Sequence, residues 1–446
     1  MAKNKFYDFL NNKFMPVMGR IANQRHLKAV RDGLISTIPF TIVGSAALIL
    51  RFPPVDPSKV GPDSNFLMKF LLAWNTWASN HGDAIMMPFQ MTMALLGIFA
   101  VIGISYSLAK TYKLNELSSV GMGLMSYLLV SAPATNGTLS MTYLDAKGLF
   151  TAIVIGILSI EMLRILEEKE IKIKMPDGVP PAVASSFAIL IPAFILMAVF
   201  YGASLIIQGA TGKLIPEAIM AMMAPAVKAV DSPFGVFFFA TLCQLLWFTG
   251  IHGAATVGAI QQAFLDQNWM RNAELRVAGE PMQYVYTTPF WSYFVIIGGS
   301  GATLALVFLY LRSRSKQLKS VGKLSLLPAL FNINEPVIFG SPLVLNPIMF
   351  IPFVFVQPIL GVIAYFIVKW GWVGKAFINP PWTTPAPIGA VLSTLDWKAG
   401  VLVIVLAALA GVMYYPFFKA YEKQLVEKEM GEEQESLENA EGSVSA

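Results

Sequence analysis

Charge is scarce in this chain. Asp, Glu, Lys and Arg make up 13% of the 446 residues, about half the ~25% of a soluble domain. With 55% hydrophobic residues and a mean hydropathy of +0.60, the composition excludes a water-soluble globule. It implies an all-α, polytopic membrane protein. Cysteine occurs once, at Cys243 within an apolar stretch, which excludes a disulfide within one chain and a structural zinc site. The three histidines form no run, so no metal and no cofactor is expected. No Gly-rich Walker sequence with Lys and Ser/Thr occurs, and ATP hydrolysis by this chain is therefore not expected. The net charge of +5 is not interleaved with aromatic residues as a nucleic-acid surface would be. No cleavable signal peptide is expected either, because the first thirty residues are basic and amphipathic and the first apolar span begins only near Leu34.

What is abundant is long apolar runs. The stretch bearing Phe6, Phe9, Leu10 and Phe14 among Lys5, Asp8, Lys13 and Arg20 has the spacing of a helix lying on the membrane surface. Apolar spans follow near 33–51, 85–109, 117–134, 148–166 and 182–208, then 233–250, 253–266, 289–311, 347–369 and 398–418. Basic clusters lie at Lys3 to Arg31, at Lys110 and Lys113, at Lys169 to Lys174, at Arg312 to Lys323 and at Lys419 to Lys428. The positive-inside rule assigns all five to the cytoplasm, and about ten spans with both termini inside accomplish that. The expected organisation is a transmembrane half over 1–210, an amphipathic connector over 211–231, a second transmembrane half over 232–420, and an acidic, disordered tail over 421–446.

Within the second half, Asn332-Ile333-Asn334-Glu335-Pro336 separates two apolar pieces, Leu324 to Phe331 and Val337 to Leu345. Each is too short to span a bilayer, which takes ~20 residues. A re-entrant hairpin entering from the cytoplasmic side is the expected form. A carboxylate so placed is costly and by default functional, and broken helices often hold a transporter's substrate. Other polar groups cluster in the same half. His252 sits in Trp247-Phe248-Thr249-Gly250-Ile251-His252-Gly253, Thr288 opens a span, and Trp382 lies in a Pro-rich stretch from Asn379 to Pro385. The expected ligand-binding set is Glu335, His252, Asn332, Asn334, Trp247, Trp382 and Thr288, with Glu335 and His252 also the candidates for the chemistry. A carboxylate, an imidazole, amides, a hydroxyl and aromatic faces suit a neutral polyhydroxylated ligand; an anionic one would call for Arg or Lys. Each residue has a plainer role open to it. Glu335 can be held by helix N-terminal amides and His252 by a turn, Trp247 can belong to the interfacial belt, and Trp382 can pack in an external loop.

These motifs are recognisable. The Asn-Ile-Asn-Glu-Pro turn with Val337-Ile338-Phe339-Gly340, together with Gly250-Ile251-His252-Gly253, Thr287-Thr288-Pro289-Phe290, Gln24-Arg25-His26-Leu27 and Arg31-Asp32-Gly33, resembles enzyme IIC. Enzyme IIC is the membrane permease subunit of bacterial phosphoenolpyruvate:sugar phosphotransferase systems, and the likeness is to its lactose, cellobiose and diacetylchitobiose branch. The resemblance covers about residues 5 to 425. It implies a multi-pass protein of the bacterial plasma (inner) membrane, a homodimer joined through the first half, and a disaccharide of cellobiose or diacetylchitobiose type in the second, with lactose the alternative. It places Glu335 and His252 near the sugar hydroxyl that accepts phosphate. The donor would be a phosphocysteine on a separate cytosolic IIB protein, charged by IIA. An ion-coupled secondary sugar transporter is the reading of a different class.

Overall fold

The structure is a computed structural model that describes residues 13, 15–55, 57–176, 178, 187–341 and 343–444. Much of the expected surface helix from Phe6 to Arg20 lies outside the described residues. Among those described, β structure is confined to one two-residue pair, β1 (Ala134–Thr135) and β2 (Thr138–Leu139). The helices are α1 (Met15–Ala22), α2 (Arg25–Ile35), α3 (Ile38–Arg51), α4 (Phe66–Asn80), α5 (Gly82–Thr92), α6 (Leu96–Tyr112), α7 (Glu116–Ser131), α8 (Leu149–Glu168), α9 (Leu190–Thr211) and α10 (Ile215–Val230). They continue as α11 (Pro233–Phe248), α12 (Gly253–Val277), α13 (Thr288–Phe290), α14 (Leu304–Leu311), α15 (Lys316–Leu330), α16 (Glu335–Gly340), α17 (Phe350–Lys369), α18 (Ala386–Thr394) and α19 (Trp397–Val444). Packing divides them into two compact units. One comprises Arg20–Val230 and Gly258–Met282, the other Met1–Gly19, Asp231–Val257 and Gln283–Ala446.

The first of these units is built on α6, which packs against α2, α7 and α8. Leu96, Ala100, Val101, Ile104 and Leu108 of α6 are fully buried. Lipid gives helices no hydrophobic drive to associate, so close approach between small residues decides which faces meet. A Cβ on Gly33 would lie 2.5 Å from Ile104 Cγ1 and 2.6 Å from Ile104 N, so only glycine lets α2 reach α6. The Gln24-Arg25-His26 motif starts α2. Gln24 Oε1 accepts from Leu27 N–H at 2.7 Å as the N-cap, and His26 Nε2 contacts Glu161 Oε1 at 2.7 Å. Arg164 Nη2 completes the cluster, 2.9 Å from Glu161 Oε2.

Beyond the spans of this unit lies Glu274 on α12. It accepts from Arg271 Nη1 at 2.7 Å and from Ala146 N–H at 3.2 Å. Burial, and after it the charge of Asp145, pushes the Glu274 carboxyl up from its ordinary 4.5 to about 7. A folded-state value above the unfolded one means that the protonated form stabilises the fold. That contribution is present below about pH 4.5 and is lost as the pH rises toward 7. The melting temperature in detergent is expected to be lower at about pH 8 than at about pH 5, and Glu274→Gln is expected to flatten the difference.

The other unit pairs α11 with α17, α14 with α15, and α18 and α14 with α19. A Cβ on Gly361 of α17 would come within 2.9 Å of Val236 Cγ1 on α11, the same small-residue device. Six helices among the described residues are long and apolar enough to cross a membrane, or seven if the pair Ile215–Val230 and Pro233–Phe248, bent by 73°, counts as one span. Three of the expected ten spans lie outside that set. Residues 117–134 become the 16-residue α7. The span at 253–266 is the start of α12, which buries Gln261, Asp266, Gln267, Asn268 and Asn272. The span at 289–311 breaks into α13, a π-helical turn (Trp291–Val295), an unwound stretch and α14. The acidic tail also differs from the expected disorder, for α19 runs on to Val444. Glu422 and Glu429 fix it to residues 313–317 of the chain.

Candidate functional site

Three glycines unwind the chain between the π-helical turn and α14. Gly298, Gly299 and Gly301 take φ of 74°, 101° and 88°, conformations open to glycine at little cost. Backbone groups freed within a bilayer must find partners inside the protein. Here four side chains supply them. Asn332 Oδ1 accepts from Gly298 N–H at 3.1 Å, and Gln357 Oε1 accepts from Gly301 N–H at 2.6 Å. Asn334 Nδ2 donates to Ser300 O, and Tyr414 Oη donates to Gly301 O at 2.7 Å. Gln244 Nε2 supports Gln357 Oε1 from 2.9 Å.

The turn between α15 and α16 is therefore built into this break. Asn332 sits at φ 63°, and its Nδ2 also donates to Trp382 O at 2.9 Å and Thr384 O at 3.0 Å. One amide thus joins the turn, the glycine break and the loop that precedes α18. Asn334 donates further to Thr303 Oγ1 at 2.8 Å, and a Cβ on Gly299 would lie 2.3 Å from Asn334 Cγ. Both asparagines are buried. Both are among the residues expected to bind ligand; their amides are bonded to the chain, and through those bonds they position what lies between and after them.

Glu335 follows as the first residue of α16 and differs from its neighbours. Its side chain is exposed and has no hydrogen-bond or ion-pair partner among the described residues. Pro336 fixes the first helical turn behind it. The expected alternative, a carboxylate satisfied by helix amides, is not what is seen.

His252 ends the segment linking α11 to α12. Its Nδ1 accepts from Ala255 N–H at 3.1 Å, and its carbonyl accepts from Thr256 Oγ1 at 3.1 Å. A backbone N–H can only donate, so Nδ1 carries the lone pair and the neutral ring keeps its proton on Nε2. The exposed imidazole therefore offers a donor. Trp247, whose ring centroid is 4.4 Å from that of His252 at 45°, is only 3% exposed. It wedges the imidazole and presents no free face. Phe339 of α16 meets Trp247 edge-on at 6.4 Å, and Leu345 N–H donates to Phe248 O at 2.9 Å. By these contacts the α16 arm and the His252 segment are brought together.

Trp382 has the exposed ring that Trp247 lacks, at 54%. Thr288 is half-buried at the start of α13, where its neighbour Thr287 does the capping by accepting from Phe290 N–H at 3.3 Å. Tyr293 Oη donates to Pro380 O at 3.0 Å and Pro381 O at 2.9 Å, and this ties the Thr288 segment to the Trp382 loop. Tyr293, Gln357 and Tyr414 were not singled out from sequence. A lone Gln or Tyr inside an apolar run is the signal they carried. Cys243 is fully buried, which leaves it no access to a phosphorylated partner.

Taken together, an open acceptor, an open N–H donor and an open indole face occupy one unit, beside two asparagines whose amides are bonded to the chain. Residues 31–356 match the family model described as "Phosphotransferase system, EIIC". The chain is 35% identical to the lichenan permease IIC component of Bacillus subtilis, over 96% of either chain. To the cellobiose-specific EIIC component of Geobacillus stearothermophilus it is 37% identical, over 96% of this chain and 97% of that one. The crystal structure of ChbC, the IIC component of the N,N'-diacetylchitobiose-specific phosphotransferase system, superposes with a TM-score of 0.86 at 36% identity, covering 95% of this chain and 99% of ChbC. This multi-pass membrane protein belongs to the EIIC permease family of the sugar phosphotransferase system.

Proposed function

We propose that the unit bearing Glu335 binds a β-linked disaccharide of the cellobiose or diacetylchitobiose type and presents it for phosphorylation by a IIB phosphocysteine. The observation that carries this reading is the Glu335 carboxylate, open on a turn whose two asparagines are locked. A sugar hydroxyl both donates and accepts. Glu335 takes its proton side and His252 Nε2–H its oxygen side, while the Trp382 ring covers an apolar sugar face. The relatives named for cellobiose, lichenan and diacetylchitobiose support two sugar rings over one. Phosphoryl transfer asks the protein mostly for positioning and charge stabilisation, so Glu335 orients the accepting hydroxyl. The dianion formed beside it favours release of the product.

Both termini face the cytoplasm in this reading, and the half over 1–210 joins two copies of the chain. Bonds between segments that charge parity assigns to one side support the orientation. Ser313 Oγ meets Glu422 Oε1 at 2.8 Å between two basic, cytoplasmic stretches, and Tyr286 N–H meets Asp231 Oδ1 at 2.7 Å between two external ones. In the other unit His26 meets Glu161 on the inner side.

Proteoliposomes separate this reading from an ion-coupled transporter. With phosphorylated IIB enclosed, labelled cellobiose or diacetylchitobiose is expected to accumulate only as its phosphate, and without IIB not to be concentrated. Concentration of unmodified sugar by a proton or sodium gradient alone would overturn the reading.

A further inference from the structure

The approach to the α15–α16 turn is marked by cations that the fold leaves unpaired. Arg312, Arg314, Lys319 and Lys323 are exposed, with no carboxylate partner among the described residues. Three lysines elsewhere in the same unit are paired, Lys419 with Glu422 at 2.7 Å, Lys428 with Glu432 at 3.5 Å and Lys398 with Asp396 at 3.7 Å. The acids near the unpaired four are otherwise occupied. Glu422 Oε1 accepts from Arg314 N–H and Ser313 Oγ, each at 2.8 Å. Glu429 accepts from Ser315 Oγ at 2.7 Å, Lys316 N–H at 2.9 Å and Gln317 N–H at 3.0 Å. Two carboxylates seven residues apart on α19 thus pin the backbone where α15 begins. The cationic side chains are left to solvent.

Further along α15 the exposed residues change character. Leu324 is 75% exposed and Leu327 66%. Water therefore ends near Lys323, and the seven helical residues from Leu324 to Leu330 descend ~10 Å to the turn that carries Glu335. The cationic stretch is thus the aqueous end of the arm that holds the sugar-binding carboxylate.

We propose that Arg312, Arg314, Lys319 and Lys323 form the landing surface for the phosphorylated IIB protein. This rests on the phosphotransferase reading given above. A phosphocysteine carries a dianion, and a pinned cluster of like charge beside the acceptor raises its local concentration and steers its approach. Lipid headgroups are the competing anions. Their place at the aqueous end of the arm that leads to Glu335, where the accepting hydroxyl would sit, favours the protein donor.

The test uses full-length protein in nanodiscs, purified cognate phosphorylated IIB and labelled cellobiose or diacetylchitobiose. Replacing the four cations by Gln is expected to raise the KM for phosphorylated IIB about tenfold, with sugar affinity and the rate at saturating donor unchanged. Raising the salt should raise that KM in the wild type and leave the variant nearly unaffected. Because loss of four charges can disturb insertion, Lys319→Gln and Lys323→Gln are measured singly, where smaller rises of about twofold are expected and arginine at either position restores the wild-type value. An unchanged donor KM overturns the proposal, as does an effect that follows the anionic lipid content of the nanodisc rather than the donor. A wild-type protein that binds sugar but transfers no phosphate overturns the underlying reading instead, and with it this one.

Discussion

Glu335→Gln is expected to weaken disaccharide binding by about a hundredfold, at the upper end for a lost charge-assisted hydrogen bond, and to leave the melting temperature unchanged. The second half of that expectation is the sharper one. A carboxylate held by ion pairs or hydrogen bonds would lose stability on neutralisation, whereas Glu335 is exposed and has no partner among the described residues. Tryptophan fluorescence or calorimetric titration in detergent reads the first effect and a thermal melt the second. Unchanged affinity would remove Glu335 from the site, and a large fall in melting temperature would make it structural. His252 provides the comparison. His252→Asn keeps a side-chain acceptor for the Ala255 N–H while deleting the Nε2–H donor, and a loss of about tenfold, typical of a neutral hydrogen bond, is expected there. His252→Ala should add a stability loss of about 1 kcal/mol from the missing cap.

The difference between these residues follows from what was and was not legible in the sequence. The polar turn was visible because five residues interrupt an apolar run, and its expected helical arms are present as α15 and α16. Which of the five meets a ligand was not visible. The acceptors of the Asn332 amide are the carbonyls of Trp382 and Thr384, about fifty residues downstream, and backbone acceptors leave no trace in residue identity. Trp247 and Trp382 look alike in sequence, yet Gly253 and Phe339 enclose one while the other stays open. The span at 289–311 was apolar enough to read as one helix, although Gly298, Gly299 and Gly301 announced the break. In the tail, acidic composition spoke for disorder. The seven-residue spacing of Glu422 and Glu429 puts both on one helical face, where they meet residues 313–317.

Asn332→Ala is expected to have the opposite signature to Glu335→Gln, with stability and binding falling together. Three bonds vanish at once: those to Trp382 O, to Thr384 O and from Gly298 N–H. Each leaves a buried or part-buried backbone group without that partner, at about 1–3 kcal/mol for the buried one and less for the others. Alanine must also hold the left-handed φ of 63°, at about 1 kcal/mol more. These terms are not additive, because the turn can relax, and a net loss of about 4 kcal/mol is the expectation. That places Asn332→Ala among the most disruptive single changes in this unit without touching the sugar. Asn332→Asp should do no better. It keeps the acceptor for Gly298 N–H but sets a carboxylate against two carbonyl oxygens in place of a donor. Thermal melts with and without saturating cellobiose or diacetylchitobiose distinguish the two classes of residue. Ligand should raise the melting temperature of the wild type and fail to raise that of Glu335→Gln, whose unliganded melt stays normal. For Asn332→Ala the unliganded melt should already be depressed by many degrees, because the amide that holds the glycine break, the turn and the Trp382 loop together is the condition for Glu335 to stand where a sugar can reach it.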